Sequence, residues 1–230
     1  MEPAPALRQH QLVISLFMLT LLTGLVDAGS FLGMGRVFAA NMTGNVVLLG
    51  FGASGAGHLA IVASLVALAG FLVGARGGGR LAKARRDEEP PRTALAIQWA
   101  ALGLALLLAG LTQPGTHETS RYIVLAILGL AMGVQNAAVR EMAVPGVATT
   151  VLTLTLTRIA ADWRRVRGTN QEMPRQLGSV IVMFVGAVIG GLLERIGLFW
   201  PLLGAFVVMS GAWALMGTAR PSAPAAQTVG

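Results

Sequence analysis

Asp27 is the one acidic residue in the apolar run 12–34. A run of this length can cross the hydrocarbon layer of a membrane, which takes about 20 residues. A bare carboxylate inside that layer costs about 3 kcal/mol, so we expect Asp27 to be paired, protonated or facing water. A proton-coupling or cation-binding role suits such a group, and an ion pair with Arg36 or Arg140 is the structural alternative.

A polar cluster opens the short segment 40–51, "ANMTGNVVLLGF". At about 1.5 Å per residue this segment covers about 18 Å, which is less than the hydrocarbon thickness of about 30 Å. We predict a half-helix that begins inside the membrane, with Asn41 and Thr43 able to cap the free N–H groups of its first turn.

A second short segment, 147–159, has the same character, with Thr149 and Thr150 as its capping residues. The N-terminus of a helix carries roughly half a positive charge, so two converging half-helices would suit an anionic or strongly dipolar solute. Gly44 would allow that solute to approach the backbone closely.

These features define a candidate substrate site, in which polar residues of both halves of the chain take part. Its predicted members are Asp27, Asn41, Thr43, Gly44, Asn45, Gln135, Asn136, Thr149, Thr150 and Thr153. The alternative is that these side chains only hold helices together, which in membranes contributes about 0.6 kcal/mol per contact.

The elements that must position these residues are membrane helices. Of the 230 residues, 54% are hydrophobic and 12% are charged, against about 25% charged in soluble proteins. We predict an all-α integral membrane protein with a single domain over residues 12–217. Its six candidate transmembrane helices are 12–34, 57–76, 94–112, 121–140, 177–196 and 198–217.

Charge indicates the topology, because loops rich in Lys and Arg stay on the cytoplasmic side. Loops 76–93 and 158–176 are both strongly basic, and both fall inside if neither short segment crosses. We therefore favour six transmembrane helices plus two re-entrant half-helices. The N-terminal segment 1–11 and a disordered tail, 218–230, are then cytoplasmic too. A topology in which only segment 40–51 crosses also keeps the loops inside, but it places the N-terminus outside.

The chain repeats itself weakly, which predicts an inverted 3+3 repeat of residues 12–112 and 121–217. In the same order, "TGLVDAGS" matches "MGVQNAAV", "MTGNVVLLG" matches "LTLTLTRIA", and "GFLVG" matches "GAVIG". In this alignment Asn136 is the counterpart of Asp27. Inverted repeats with broken helices are the architecture of many secondary transporters.

The stretches "GLVDAGSF", "VFAANMTGNVVLLG" and "AMGVQNAAVREMAVPGVATTVLTLTLTRIAAD" together resemble the YoaK-like family of bacterial membrane proteins. The resemblance covers roughly residues 12–217. It implies a multi-pass inner-membrane protein and supplies neither a substrate nor a mechanism. The chain departs from the family pattern at Leu154, where a glycine is usual, and the leucine side chain disfavours a close approach to the backbone at the second half-helix.

The leading hypothesis is a secondary transporter or channel-like permease for a small anionic or polar solute. The alternative is a membrane scaffold or accessory subunit whose polar residues only fix helix packing. We expect no enzymatic activity, no cofactor, no metal site and no nucleic-acid partner. The expected partners are the lipid bilayer and the solute, and the glycine pairs of the helices offer a surface for a homodimer or for packing within the chain.

Overall fold

The computed structural model describes residues 5–55, 61–84, 91–112, 114–142, 156–157 and 172–218. Within these ranges the chain forms seven long or medium α-helices and no strand. They are α1 (Pro5–Gly33), α2 (Met42–Ala53), α3 (Ile61–Ala84), α4 (Arg92–Thr112), α5 (Glu118–Met142), α6 (Glu172–Glu194) and α7 (Phe199–Thr218).

Six of these helices are long and apolar enough to cross a membrane, and α2 is the exception. The six correspond to the six predicted spans, which confirms the all-helical, multi-pass architecture. The 12 residues of α2 extend about 18 Å, so it is a short helix as its sequence predicts. The second predicted short segment, 147–159, lies outside the described residues except for Leu156 and Thr157.

The helix ends differ from the predicted spans chiefly at α1, which begins at Pro5 instead of residue 12, and at α3. This helix continues from the predicted end at Arg76 to Ala84. Arg80 and Lys83 therefore lie on its last turns, where cations also interact favourably with the helix dipole.

Two helix pairs are packed backbone to backbone through glycines. On α3, Gly70 and Gly74 lie against the backbone carbonyls of Ala126 and Leu130 on α5. On α6, Gly186 and Gly190 lie against the backbone of α1 at Leu21 and Leu25. A side chain at any of these four glycines would collide with backbone, so the predicted packing role of these glycine pairs within the chain is confirmed.

The remaining helices close the bundle around α1 and α5. Helix α7 packs against α1, α4 packs against both α5 and α7, and α2 packs against α3. Leucines of α1, α4 and α5 form the centre of the core, including Leu16, Leu22, Leu102 and Leu128. Polar side chains that face this centre are therefore removed from both water and lipid.

Candidate functional site

One face of α1 carries four buried polar residues inside the bundle. Thr20, Thr23, Asp27 and Ser30 follow the i, i+3, i+7, i+10 spacing of a single helix face, and none is more than 6% exposed. We call these four residues the polar stripe of α1. A stripe of this kind inside an apolar bundle is costly unless each group is hydrogen-bonded.

The two threonines satisfy themselves within α1. The Thr20 hydroxyl donates to the Leu16 carbonyl over 2.9 Å, and the Thr23 hydroxyl donates to the Leu19 carbonyl over 2.8 Å. This local bonding is common for hydroxyl side chains in membrane helices. The oxygen atom of each threonine can still accept a bond from another group.

Asp27 holds the linker 34–41 that connects α1 to α2. Its Oδ1 atom accepts hydrogen bonds from the backbone N–H groups of Ala39 and Ala40, over 3.0 and 2.7 Å. Ser30 accepts a further bond from the Ala39 N–H over 3.2 Å. Among the described residues the partners of Asp27 are thus backbone amides, and neither Arg36 nor Arg140 forms the ion pair proposed as the structural alternative.

The linker can return to Asp27 because it turns sharply after α1. Gly35 and Arg36 both have a positive φ, 91° and 61°. For arginine this conformation costs about 1–2 kcal/mol. The Arg36 N–H donates to the Phe31 carbonyl, and the hydrogen bonds that Asp27 accepts from the linker further along help to offset the strain.

Asn45 fixes the same linker from the side of α2. Its Oδ1 accepts from the Phe38 N–H over 2.9 Å, and its Nδ2 donates to the Phe38 carbonyl over 2.7 Å. Asn45 is fully buried. The paired bonds reproduce the pattern of a short strand pairing, so this side chain replaces the backbone partner that Phe38 lacks.

Asn41 is the N-cap residue of α2, as predicted. Its side-chain oxygen accepts from the Gly44 N–H over 3.2 Å. Thr43 is the second residue of the helix and is exposed, as is Asn41. The start of α2 therefore presents two polar side chains to its surroundings, next to the linker amides that bind Asp27.

A second polar group lies deeper in the bundle, where α1, α4 and α5 meet. Gln98 Nε2 donates to Gln135 Oε1 over 2.6 Å, and Gln135 Nε2 donates to Thr23 Oγ1 over 2.9 Å. A longer contact of 3.4 Å joins Gln135 Nε2 to the Leu19 carbonyl. We call Gln98 and Gln135 the amide pair, and Thr23 links it to the polar stripe of α1.

The amide pair leaves one buried acceptor without a partner. Gln98 is fully buried, and its Oε1 atom has no hydrogen bond. An unsatisfied buried acceptor costs about 1–3 kcal/mol, so such atoms are rare in native structures. This oxygen is the feature of the site that the protein's own described groups do not explain.

The predicted residues fall into three groups. Asp27, Asn41, Gly44 and Asn45 meet around the linker, with Thr43 on the first turn of α2, whereas Gln135 lies on α5 and belongs to the amide pair, which contacts α1 at Thr23. Asn136 neighbours Gln135 in sequence and donates to the Met132 carbonyl of its own helix. The three predicted threonines of the second half lie outside the described residues: Thr149, Thr150 and Thr153.

Sequence reasoning missed four polar residues of this interior: Thr20, Thr23, Ser30 and Gln98. A signal for three of them exists, because Thr20, Thr23 and Ser30 share a helical face with Asp27. Gln98 is an isolated amide within an apolar span, and its tertiary partner Gln135 is 37 residues away in sequence. Nothing local indicates that pairing.

Comparison with known proteins gives a consistent result. The family described as "Protein of unknown function (DUF1275)" matches residues 15–216. The chain belongs to this family. It is also 30% identical over 188 residues to the UPF0700 transmembrane protein YoaK of Bacillus subtilis (strain 168), which covers 78% of this chain and 82% of YoaK. No solved structure matches the chain. Its membership in the DUF1275 family agrees with the resemblance drawn from the polar motifs and with a multi-pass membrane protein.

Proposed function

We propose that this DUF1275 member is a small permease of the bacterial inner membrane, in which a polar solute moves along the polar stripe of α1. The observation that carries this proposal is the row of four buried polar groups on one face of a membrane-spanning helix. Polar and ionisable residues inside membrane bundles commonly mark the path of a solute or ion. No enzymatic step is part of the proposal.

In this proposal the stripe leads to the start of α2. Asp27 holds the amides of Ala39 and Ala40, and these residues directly precede the N-cap Asn41. The exposed side chains of Asn41 and Thr43, together with the positive end of the helix dipole, would then contact the solute. Asp27 serves as the proton or cation site of the carrier.

We also propose that α2 is re-entrant. Asp27 lies six residues before the end of α1 at Gly33, so the linker amides it binds lie roughly 9 Å inside that end. A helix that begins at this depth and is only 12 residues long is suited to leaving on the side it entered. Single cysteines introduced at Ser54 and Thr169 should then be labelled from opposite sides of the membrane, and labelling of both from one side would reject this topology. A single cysteine in segment 1–11 should be labelled from the side of Thr169, because crossing by α2 alone would place the N-terminus on the other side.

The contacts between helices support an inverted repeat. An inverted repeat would make α1 equivalent to α5, α3 to α6 and α4 to α7. When each helix is replaced by its equivalent, every contacting pair of the six long helices becomes a pair that is also in contact. The glycines follow the same exchange, since Gly74 contacts Leu130 and Gly190 contacts Leu25. If Gly74 and Gly190 are equivalent, as "GFLVG" and "GAVIG" suggest, then Leu25 matches Leu130.

This register changes the partner of Asp27 in the repeat. When Leu25 matches Leu130, Asp27 corresponds to Met132, which lies one helical turn from the predicted counterpart Asn136. The carboxylate would then have an apolar equivalent in the second half. Such an asymmetry fits a single ion site in the carrier.

The alternative function is that of a scaffold or accessory subunit, and one observation favours it. Asp27, Asn41 and Asn45 are all bonded to the backbone of the linker or of α2. Hydrogen bonds of this kind are explained in full by a structural role, which is to fix the start of α2. In that case the polar stripe is a structural feature and no solute moves along it.

A thermal-shift screen of small polar solutes on the purified full chain separates the two functions. If the protein is a permease, at least one solute should raise the melting midpoint of the wild type. The same solute should not raise the midpoint of the Asp27→Asn and Thr43→Val variants, provided that they remain folded. Asn at position 27 retains an oxygen that can accept the linker N–H groups. A scaffold predicts that no solute raises the midpoint, and that Thr43→Val behaves as the wild type.

A further inference from the structure

We propose that Gln98 Oε1 is the binding point of one small, uncharged hydrogen-bonding molecule of the size of water or ammonia. This site lies at the junction of α1, α4 and α5. It is separate from the start of α2, and its existence does not depend on transport.

The direction of the hydrogen bonds shows that no described protein group donates to Gln98 Oε1. Gln98 donates to Gln135, Gln135 donates to Thr23, and Thr23 donates to the Leu19 carbonyl. This series of hydrogen bonds ends at the Leu19 carbonyl, which is an acceptor and needs no further partner. It begins at Gln98, whose Oε1 atom accepts no hydrogen bond.

Rotating the side-chain amides does not remove the gap. The oxygen and nitrogen of a glutamine amide are interchangeable in shape, so both amides can be turned over. Thr23 would then donate to Gln135, Gln135 would donate to Gln98, and the Gln98 nitrogen would become the unpaired atom. Either orientation leaves one end of Gln98 open, so the best ligand is a molecule that can both donate and accept.

The surroundings select a neutral ligand. Every side chain bonded to the amide pair is uncharged, and Leu19, Leu95 and Leu102 on the same helices are almost completely buried. An ion here would lose its hydration without gaining a counter-charge. The nearest charge along α1 is Asp27, one turn beyond Thr23, and its Oδ1 is bonded to the linker.

The size of the ligand follows from the same neighbours. Gln98 and Gln135 are both fully buried in a core of close-packed leucines. Protein interiors have few voids larger than one water molecule, whereas a polar pocket of that size holds a water that forms several hydrogen bonds. The site therefore takes one molecule with a single heavy atom.

An experimental structure of the full chain in lipid nanodiscs, at a resolution that shows ordered waters, tests the site directly. The expected result is an isolated density peak about 3 Å from the end of the Gln98 side chain, present in the wild type and absent in Gln98→Met. A matched control is Gln176→Met, since Gln176 is another buried glutamine but lies on α6 and outside the amide pair. Dry contact between Gln98 and apolar side chains, or a protein donor at Oε1, would overturn the proposal.

A second measurement distinguishes the two ligands. The melting midpoint of the full chain is recorded in increasing ammonium chloride at alkaline pH, with potassium chloride as the salt control. Ammonia as the ligand predicts a rise in ammonium that is lost in Gln98→Met and kept in Gln176→Met. Water as the ligand predicts the density peak without an ammonium-specific rise. A bound molecule at Gln98 together with no solute flux through the protein would confirm this site and contradict the permease, so the two proposals fail separately.

Discussion

Two polar regions contact the same face of α1, yet their hydrogen bonds are completed in opposite ways. Around Asp27, the side chains of Asp27, Ser30 and Asn45 all bind backbone groups of the linker. At the amide pair, Gln98 and Gln135 bind each other and one oxygen stays without a partner. The first region is closed by the protein itself, and the second is left open.

The difference shows that the hydrogen bonds of a polar residue inside a membrane bundle can be completed by the protein's own backbone or left for a ligand. Asp27 is the more conspicuous residue in the sequence, but its oxygen has a clear structural task, because it satisfies backbone groups that would otherwise be orphaned. Gln98 is inconspicuous in the sequence, but its unpaired oxygen is what a bound molecule would explain. Substitutions in the two regions should therefore have different consequences.

The largest loss of stability is expected for Asp27→Leu. This change leaves the Ala40 N–H without its acceptor and the Ala39 N–H with only the longer bond to Ser30, and each buried polar group that loses its partner costs about 1–3 kcal/mol. We expect the melting midpoint of the purified protein to fall by roughly 5–15 °C, using about 2–4 °C per kcal/mol for a chain of this size.

The matched control is Asp27→Asn, whose oxygen can still accept both bonds. It should retain most of the wild-type midpoint. If Asp27→Leu has the same melting midpoint as the wild type, the hydrogen bonds between Asp27 and the linker do not stabilise the protein.

A somewhat smaller loss is expected for Asn45→Leu. Leucine fills a similar volume but removes both hydrogen bonds to Phe38, which should cost about 1–3 kcal/mol. The control is Thr43→Val, at an exposed position of the same helix, which should change the stability by less than about 0.5 kcal/mol. Equal midpoints for the two variants would show that the Asn45 bonds contribute nothing.

The amide pair should show coupling instead of a large single effect. Gln135→Leu removes the acceptor of Gln98 Nε2 and should cost about 1–2 kcal/mol, because the remaining amide then has both ends unpaired. In the double variant Gln98→Leu/Gln135→Leu both amides are gone, and much of this stability should return.

A double-mutant cycle of denaturant or thermal unfolding measures this coupling, which we expect to be about 1 kcal/mol or more. Strictly additive effects of the two substitutions would contradict the bond between Gln98 and Gln135.

The smallest effect is expected for Asn41→Ala. Loss of an N-cap residue typically costs about 1 kcal/mol, and a replacement by Ser retains most of the cap. Both changes leave the contacts of Asp27 intact. If Asn41→Ala has a lower melting midpoint than Asp27→Leu, the helix cap stabilises the linker more than Asp27 does, which contradicts the expected order.

The sequence predicts the helices well because membrane spans depend on length and apolarity, which a single chain displays directly. It also predicts the short helix α2 and its cap, since the distance from Asn41 to Gly44 is local. The partners of Asp27 were not predicted, because they are backbone groups brought back by the turn at Gly35 and Arg36. The pairing of Gln98 with Gln135 depends on how α4 packs on α5, and no local pattern encodes it.

The central claim is that the polar interior of this bundle is used by a solute, and flux through proteoliposomes tests it most directly. Liposomes containing the full chain are mixed with a panel of small polar solutes, and uptake is compared with that of protein-free liposomes. The account predicts accelerated uptake of at least one solute by the wild type, and its loss in the folded variants Thr43→Val and Asp27→Asn. Uptake equal to that of protein-free liposomes for every solute, with correctly folded wild-type protein, would contradict the account and favour the scaffold.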